Sequence, residues 1–149
     1  MNEDQIKNKI LKLAEELDND LELQDIDKLI PYFSQDCEIE IFGLKIKGKE
    51  KLKDWLNWFF TLFDTIKFEP IVIMVEKNIF FEEFIIHVSF NQGKELSVKV
   101  AEVLDYQNYK IKSLRLYIDR LEFSDVIATG FFSKKLIKLI QKRSIRDLV

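Results

Sequence analysis

Four long runs between residues 66 and 120 alternate apolar with polar side chains, and only three-residue links separate them. The runs cover about 66–76, 79–91, 95–106 and 110–120; the links are Glu76-Lys77-Asn78, Asn91-Gln92-Gly93 and Gln107-Asn108-Tyr109. Alternation with a period of two marks strands that bury one face. Links this short cannot hold a crossover helix, so neighbouring strands run antiparallel. A four-strand meander therefore fills the second half of the domain, and its apolar face needs a cover.

The first half supplies it. Ile6, Ile10, Leu13 and Leu17, with Ala14 beside them, predict an amphipathic helix over about 4–18, ended by turn chemistry at Asp18-Asn19-Asp20. Asp25 can cap a second, short helix that buries Ile26, Leu29, Ile30 and Phe33, with Pro31 kinking or tightening its last turn. Cys37, Ile39 and Ile41 alternate with Glu38, Glu40 and Phe42 as a strand, and Gly43 turns it into a return strand from Leu44 to Lys47. After Gly48, a helix of about 49–63 carries Leu52, Trp55, Leu56, Phe59, Phe60 and Phe63 on one wide apolar face. The order predicts an α+β fold, one strongly curved sheet folded around three helices. Residues 1–121 make that domain. Residues 122–149 are an extension, in which Ser133 can cap a helix over about 134–143 with Leu136, Ile137, Leu139 and Ile140 on one side.

One residue breaks the apolar parity of the third long run. Leu96, Val98, Val100, Leu104 and Tyr106 share a face, and Glu102 stands among them. A carboxylate turned toward an apolar interior costs several kcal/mol unless it is paired, hydrogen-bonded or protonated. That exception points to a cavity with an acid in it. The alternative is a carboxylate at the cavity mouth, solvated, paired with a lysine or rotated outward by a bulge. Glu82 repeats the puzzle beside Phe80, Phe84, Ile86, Val88 and Phe90, near the start of its strand where it reaches the rim. Two acids facing one cavity disfavour double ionisation and push one pKa upward. His87 falls on the outer face with no partner visible in sequence, and Cys37 reads as a small core residue.

Composition excludes several function classes. A chain of 149 residues with one Cys, one His and four Gly has no transition-metal set, no calcium loop and no Gly-rich phosphate loop, so neither metal nor nucleotide cofactor is expected. The lone Cys37 and the acidic start Met1-Asn2-Glu3-Asp4 fit a cytoplasmic protein without disulfides. No apolar run is long enough to span a membrane. Lys134, Lys135, Lys138, Lys142, Arg143 and Arg146 make the end basic, while the body is acidic and argues against nucleic acid as a partner. That tail is expected to pack Phe131, Phe132, Leu136 and Ile140 on its own domain or on a second copy, with its lysines in water.

The element order, together with Asp27-Lys28-Leu29-Ile30-Pro31-Tyr32-Phe33-Ser34-Gln35-Asp36-Cys37-Glu38-Ile39, Gly43 and Gly48-Lys49-Glu50, resembles the nuclear transport factor 2-like superfamily over about residues 4–120. It is most similar to the SnoaL-like polyketide cyclase and ketosteroid isomerase branch, and Lys110 to Asp119 resembles that branch's last strand. The resemblance implies a cone-shaped fold, a deep apolar cavity between sheet and helices, and a homodimer joined through the outer sheet face. Fold alone does not fix function, because the superfamily holds isomerases, cyclases, dehydratases, epoxide hydrolases and non-catalytic modules.

By the same resemblance, Glu102 matches the isomerase acid that hydrogen-bonds a developing oxyanion. The isomerase base falls on Ile41, or on Glu40 after a one-residue slip, and the first helix lacks the partner tyrosine. The epoxide-hydrolase set is replaced by apolar Leu114, Leu116 and Ile118. Asp119 matches the acid of some SnoaL-like cyclases but alternates onto the outer face. The expected function is binding of a small hydrophobic molecule, with cofactor-free proton transfer next to a carbonyl by Glu102 as acid and Glu40 as base. Trp55, Phe59, Phe84, Ile86, Val100, Leu104, Leu116 and Ile118 are the expected wall. The competing reading is a carrier or interaction module without chemistry. Ile71, Ile73 and Val75 oppose Val72 and Met74 on their strand, which predicts a sheet covered on both sides.

Overall fold

A computed structural model describes residues 2–90 and 93–119, together with residues 121, 122, 124, 135, 136 and 138–140. Helix α1 (Glu3–Glu22) opens on a capping box, in which Asn2 accepts from the Gln5 amide and Gln5 accepts from the Asn2 amide, both at 2.9 Å. It runs a full turn past the predicted end. The apolar stripe continues through Leu17 to Leu21, and the chain leaves the helix only at Leu23 and at Gln24, whose φ is 56°. Asp18-Asn19-Asp20 is therefore helical, and the turn expected there is displaced beyond it. Packing of the stripe outweighs the weak local preference of Asp and Asn for turns.

Helix α2 (Ile26–Leu29) is capped by Asp25, whose side chain accepts from the Lys28 amide at 3.2 Å. Ile30–Tyr32, containing Pro31, tightens into a 3₁₀ turn, as the missing proline donor predicts. Strands β1 (Phe33–Ile41) and β2 (Leu44–Lys47) form a hairpin through Phe42 and Gly43, both with positive φ. Helix α3 (Lys49–Phe60) follows Gly48. Gly48 has φ 84° and ψ 154°, a region essentially confined to glycine, and its amide donates to the Cys37 carbonyl at 2.8 Å.

The meander is β3 (Thr65–Glu76), β4 (Ile79–Phe90), β5 (Lys94–Gln107) and β6 (Lys110–Ile118). All six strands make one sheet in the order β2-β1-β6-β5-β4-β3, in which only β1 and β6 pair in parallel. A bulge at Ile71 interrupts β3 between Pro70 and Val72, and one at Lys112 interrupts β6 opposite Asp105 and Tyr106. The core lies between the concave face and the helices. One cluster gathers Ile10, Leu17, Leu29, Cys37, Leu104 and Ile111 under α1 and α2; another gathers Phe63, Ile66, Phe84, Val88 and Val98 toward the far end of the sheet.

In the single chain Ile71, Val72, Ile73 and Met74 of edge strand β3 are all exposed, while Val75 packs against the cluster under α1. Among the described residues no helix is long and apolar enough to cross a membrane. Residues 135, 136 and 138–140 are helical, with Leu136, Leu139 and Ile140 exposed; Phe131, Phe132, Ser133 and the rest of the predicted 134–143 helix lie outside the described residues.

Candidate functional site

The register of the β4–β5 hairpin puts Glu82 directly opposite Glu102. Both point to the concave face and both are buried, at 2% and 7% exposure. Like charges opposite one another on a sheet repel. A third carboxyl joins them from above. Glu22, near the end of α1, accepts from the Phe68 amide at 2.8 Å and from Lys67 Nζ at 2.7 Å, which latches the helix to edge strand β3. Asp18 lies one turn earlier on the same helix face and is thereby aimed at the sheet. Asp18, Glu82 and Glu102 each offer an oxygen, and these atoms lie within 4.8 Å of one another.

Nothing neutralises the trio from outside. Among the described residues no side-chain or backbone donor hydrogen-bonds any of the three, and Glu82 Oε1 is a buried acceptor without a partner. Burial, then the charges of Glu82, Glu22 and Glu15, pushes Asp18 up to about 8. Burial pushes Glu82 up to about 7. Glu102 is held well above the usual carboxylate range by burial and then by Asp18 and Glu82. These are carboxyls that keep protons near neutral pH. The Tyr106 hydroxyl, also buried and without a hydrogen-bond partner, is raised by burial and then by Glu102 and Asp18.

Asp18 and Glu102 stand at one end of an apolar cavity of about 100 Å³. Trp55 and Phe59 of α3, stacked with ring centroids 4.8 Å apart, make one wall. Phe84, Ile86 and Val100 make the floor, and Leu116 and Ile118 close it on the β6 side. Leu104, expected in the wall, does not line it. That side chain is fully buried two residues beyond Glu102, in the cluster that α1 seals.

Glu40 is the second correction. It alternates with the buried Ile39 and Ile41, so it faces away from the cavity and sits beside Arg115 and Lys45 in the ladder. There it lines a shallow hollow with Tyr117 and the exposed Asp119, whose carboxylate caps the Leu121 amide at 2.8 Å. Neither acid reaches Glu102. The second cavity carboxyl is Asp18 instead. Its signal in the sequence was its i, i+4 relation to Leu21-Glu22 and to Ala14 on the helical stripe, hidden by the turn propensity of Asp-Asn-Asp. The Glu82–Glu102 pairing was also legible, since the two are equidistant from the centre of the Asn91-Gln92-Gly93 link.

His87 has the partners that sequence did not reveal: Ser97 Oγ at 2.7 Å from Nδ1 and Glu69 Oε2 at 2.7 Å from Nε2. The chain of three crosses β5, β4 and β3 on the outer face, where the surrounding amides are committed to the ladder and leave no donor pair for an oxyanion. It works as a cross-strand staple. Cys37 is fully buried, and burial pushes its thiol up, which suits a core residue. Asp18, Glu82 and Glu102 are also the group that could hold a cation, a possibility that counting His and Cys residues passes over.

No protein-family profile matches the chain, and no curated protein matches it. Solved structures do. A nuclear transport factor 2-like protein from Anabaena variabilis is 22% identical with a TM-score of 0.66, covering 74% of this chain and 90% of its own. A protein from Shewanella denitrificans assigned as a SnoaL-like polyketide cyclase is 12% identical with a TM-score of 0.72, over 81% of this chain and 98% of its own. A de novo designed protein with a curved β-sheet is 26% identical with a TM-score of 0.62, covering 80% and 92%. The chain thus has the nuclear transport factor 2-like fold that the sequence predicts. That a designed sheet matches as well shows how little the architecture alone says about chemistry.

Proposed function

We propose that the chain binds a small hydrophobic molecule in the cavity beneath its sheet and exchanges a proton with it, without a cofactor. The observation that supports this reading is an apolar cavity of about 100 Å³ lined by two carboxyls, Glu102 and Asp18, that hold protons near neutral pH. A protonated Glu102 can donate to a carbonyl or enolate oxygen, and Asp18, titrating near the working pH, can take the adjacent carbon-bound proton. The likeness to a SnoaL-like cyclase fits such chemistry, namely isomerisation, dehydration or aldol cyclisation. A buried lone Cys37 suits a cytoplasmic setting, and exposed Tyr117, Val72 and Met74 suit a homodimer through the outer sheet face.

The occupant is smaller than benzene, which takes a cavity of about 150 Å³ against about 100 Å³ here. Acetone in D₂O therefore serves as the probe. Deuteration of its α-carbons, followed by NMR, is expected above the buffer rate with the unaltered protein and at the buffer rate with Glu102→Gln. Binding without exchange would remove the catalytic reading and leave a carrier module.

A further inference from the structure

We infer that the polar end of the cavity's ligand is a protonated amine, seated on Asp18, Glu82 and Glu102. The inference rests on the reading of the cavity as a ligand site and names the class of molecule it takes. Three observations carry it. The first is shape: an ammonium has three donors in tetrahedral array, and acceptors about 2.8 Å from its nitrogen stand about 4.6 Å apart. The three carboxylate oxygens lie within 4.8 Å of one another. The second is an unanswered acceptor. Glu82, at 2% exposure, has an Oε1 with no hydrogen-bond partner, and a ketone oxygen brings no donor to it. A buried acceptor left in this state is costly, and an N–H supplies what it lacks.

The third is charge. Asp18 belongs to two cavities at once: the apolar one, and a surface hollow lined by Glu15, Asn19, Glu22 and Glu82. Neither is lined by a Lys, Arg or His. Lys67 is held by Glu22 of the hollow at 2.7 Å. An approach lined by acids concentrates cations and repels anions. The same arrangement favours a positive nitrogen. An inorganic ion fits less well, since calcium takes six to eight oxygens and magnesium keeps several waters. Asp18 and Glu102 line the cavity with Leu17, Phe68 and Phe84, and Glu82 reaches the same point from the adjoining hollow.

Binding must also balance protons. An aqueous ammonium that displaces the proton held by one carboxyl leaves an ammonium–carboxylate pair and releases that proton to buffer. A neutral amine entering directly takes the same proton from the carboxyl O–H to its own lone pair.

The test compares isopropylamine, isopropanol and acetone by calorimetry at pH 6.5, in phosphate and in MES. The amine is expected to bind at least about tenfold tighter than the alcohol, releasing close to one proton per molecule. Since Glu82 does not line the apolar cavity, Glu82→Gln is expected to remove that preference while isopropanol binding stays, which a merely misfolded variant would not do. If the alcohol or ketone binds as tightly as the amine, the ammonium inference fails and the cavity reading stands. If none of the three binds, both fail. If calcium or manganese chloride stabilises the protein at pH 8 and displaces the amine, the trio is an inorganic cation site and the inference is overturned.

Discussion

Replacing Glu82 by glutamine isolates the cost of burying that carboxyl under the sheet. Its carboxyl moves from 4.5 to about 7 on folding because burial penalises the charge. At about 1.4 kcal/mol for each tenfold change in proton affinity, that displacement is worth about 3 kcal/mol. The folded state binds the proton more tightly than the unfolded one. Stability is therefore highest below pH 4.5 as far as this group is concerned, falls as pH rises toward 7, and stays low above it. Glutamine has the shape of the protonated acid and cannot ionise, so the variant lacks this decline. Urea unfolding at pH 5, 6, 7 and 8.5 reads the difference directly. The variant is expected to gain about 2.5 kcal/mol on the parent between pH 5 and 8.5, or about 5–10 °C in Tm for a chain of this size. Comparing slopes against pH, rather than absolute stabilities, removes any constant cost of the amide. Parallel pH profiles for the two proteins would refute the claim that Glu82 is buried uncompensated.

Other expectations follow from particular contacts. Glu22→Ala frees the Phe68 amide and Lys67, and is expected to cost about 1–3 kcal/mol in urea unfolding. Burial pushes the Glu22 carboxyl up, but the Lys67 and Phe68 bonds and the Lys67 charge hold it below its ordinary value. That cost should thus be present above pH 4.5 and fade as the solution is acidified. Leu104→Ala is expected to lose about 2–5 kcal/mol by core cavitation, yet leave acetone affinity within about twofold, since it lies outside the ligand wall. Gly48→Ala should cost about 1–3 kcal/mol in the same assay because of its backbone conformation alone, the nearest contact of an added Cβ being Gln35 O at 3.7 Å.

The sheet was legible because its cues are local. Period-two alternation and short links specify antiparallel neighbours, and the four meander strands lie within a residue or two of their predicted bounds. Glu102 was legible for the same reason: a charge on the apolar parity of a strand is visible without knowing what covers it. Asp18 was not, because its position depends on how far α1 extends and on the Glu22 latch to β3, which joins residues 46 apart. Glu40 failed through the opposite weakness. A one-residue slip in matching a related sequence reverses which face a strand side chain occupies, and here Ile39 and Ile41 hold the interior. Leu104 shared the correct parity, yet position along a strand decides between core and cavity, and that depends on where a helix lies above it.

The parallel contact between β1 and β6 has a consequence for how the protein is made. The strand formed by residues 33–41 has its far edge satisfied only by residues 111–115, so during synthesis that edge waits until nearly the whole domain has left the ribosome. The hairpins spanning residues 65 to 118 can assemble from near neighbours. Closure against the amino-terminal pair then demands a long-range encounter, the slow kind. Shortened chains that stop before residue 110 should accordingly carry an unsatisfied apolar strand and be prone to clump or be degraded.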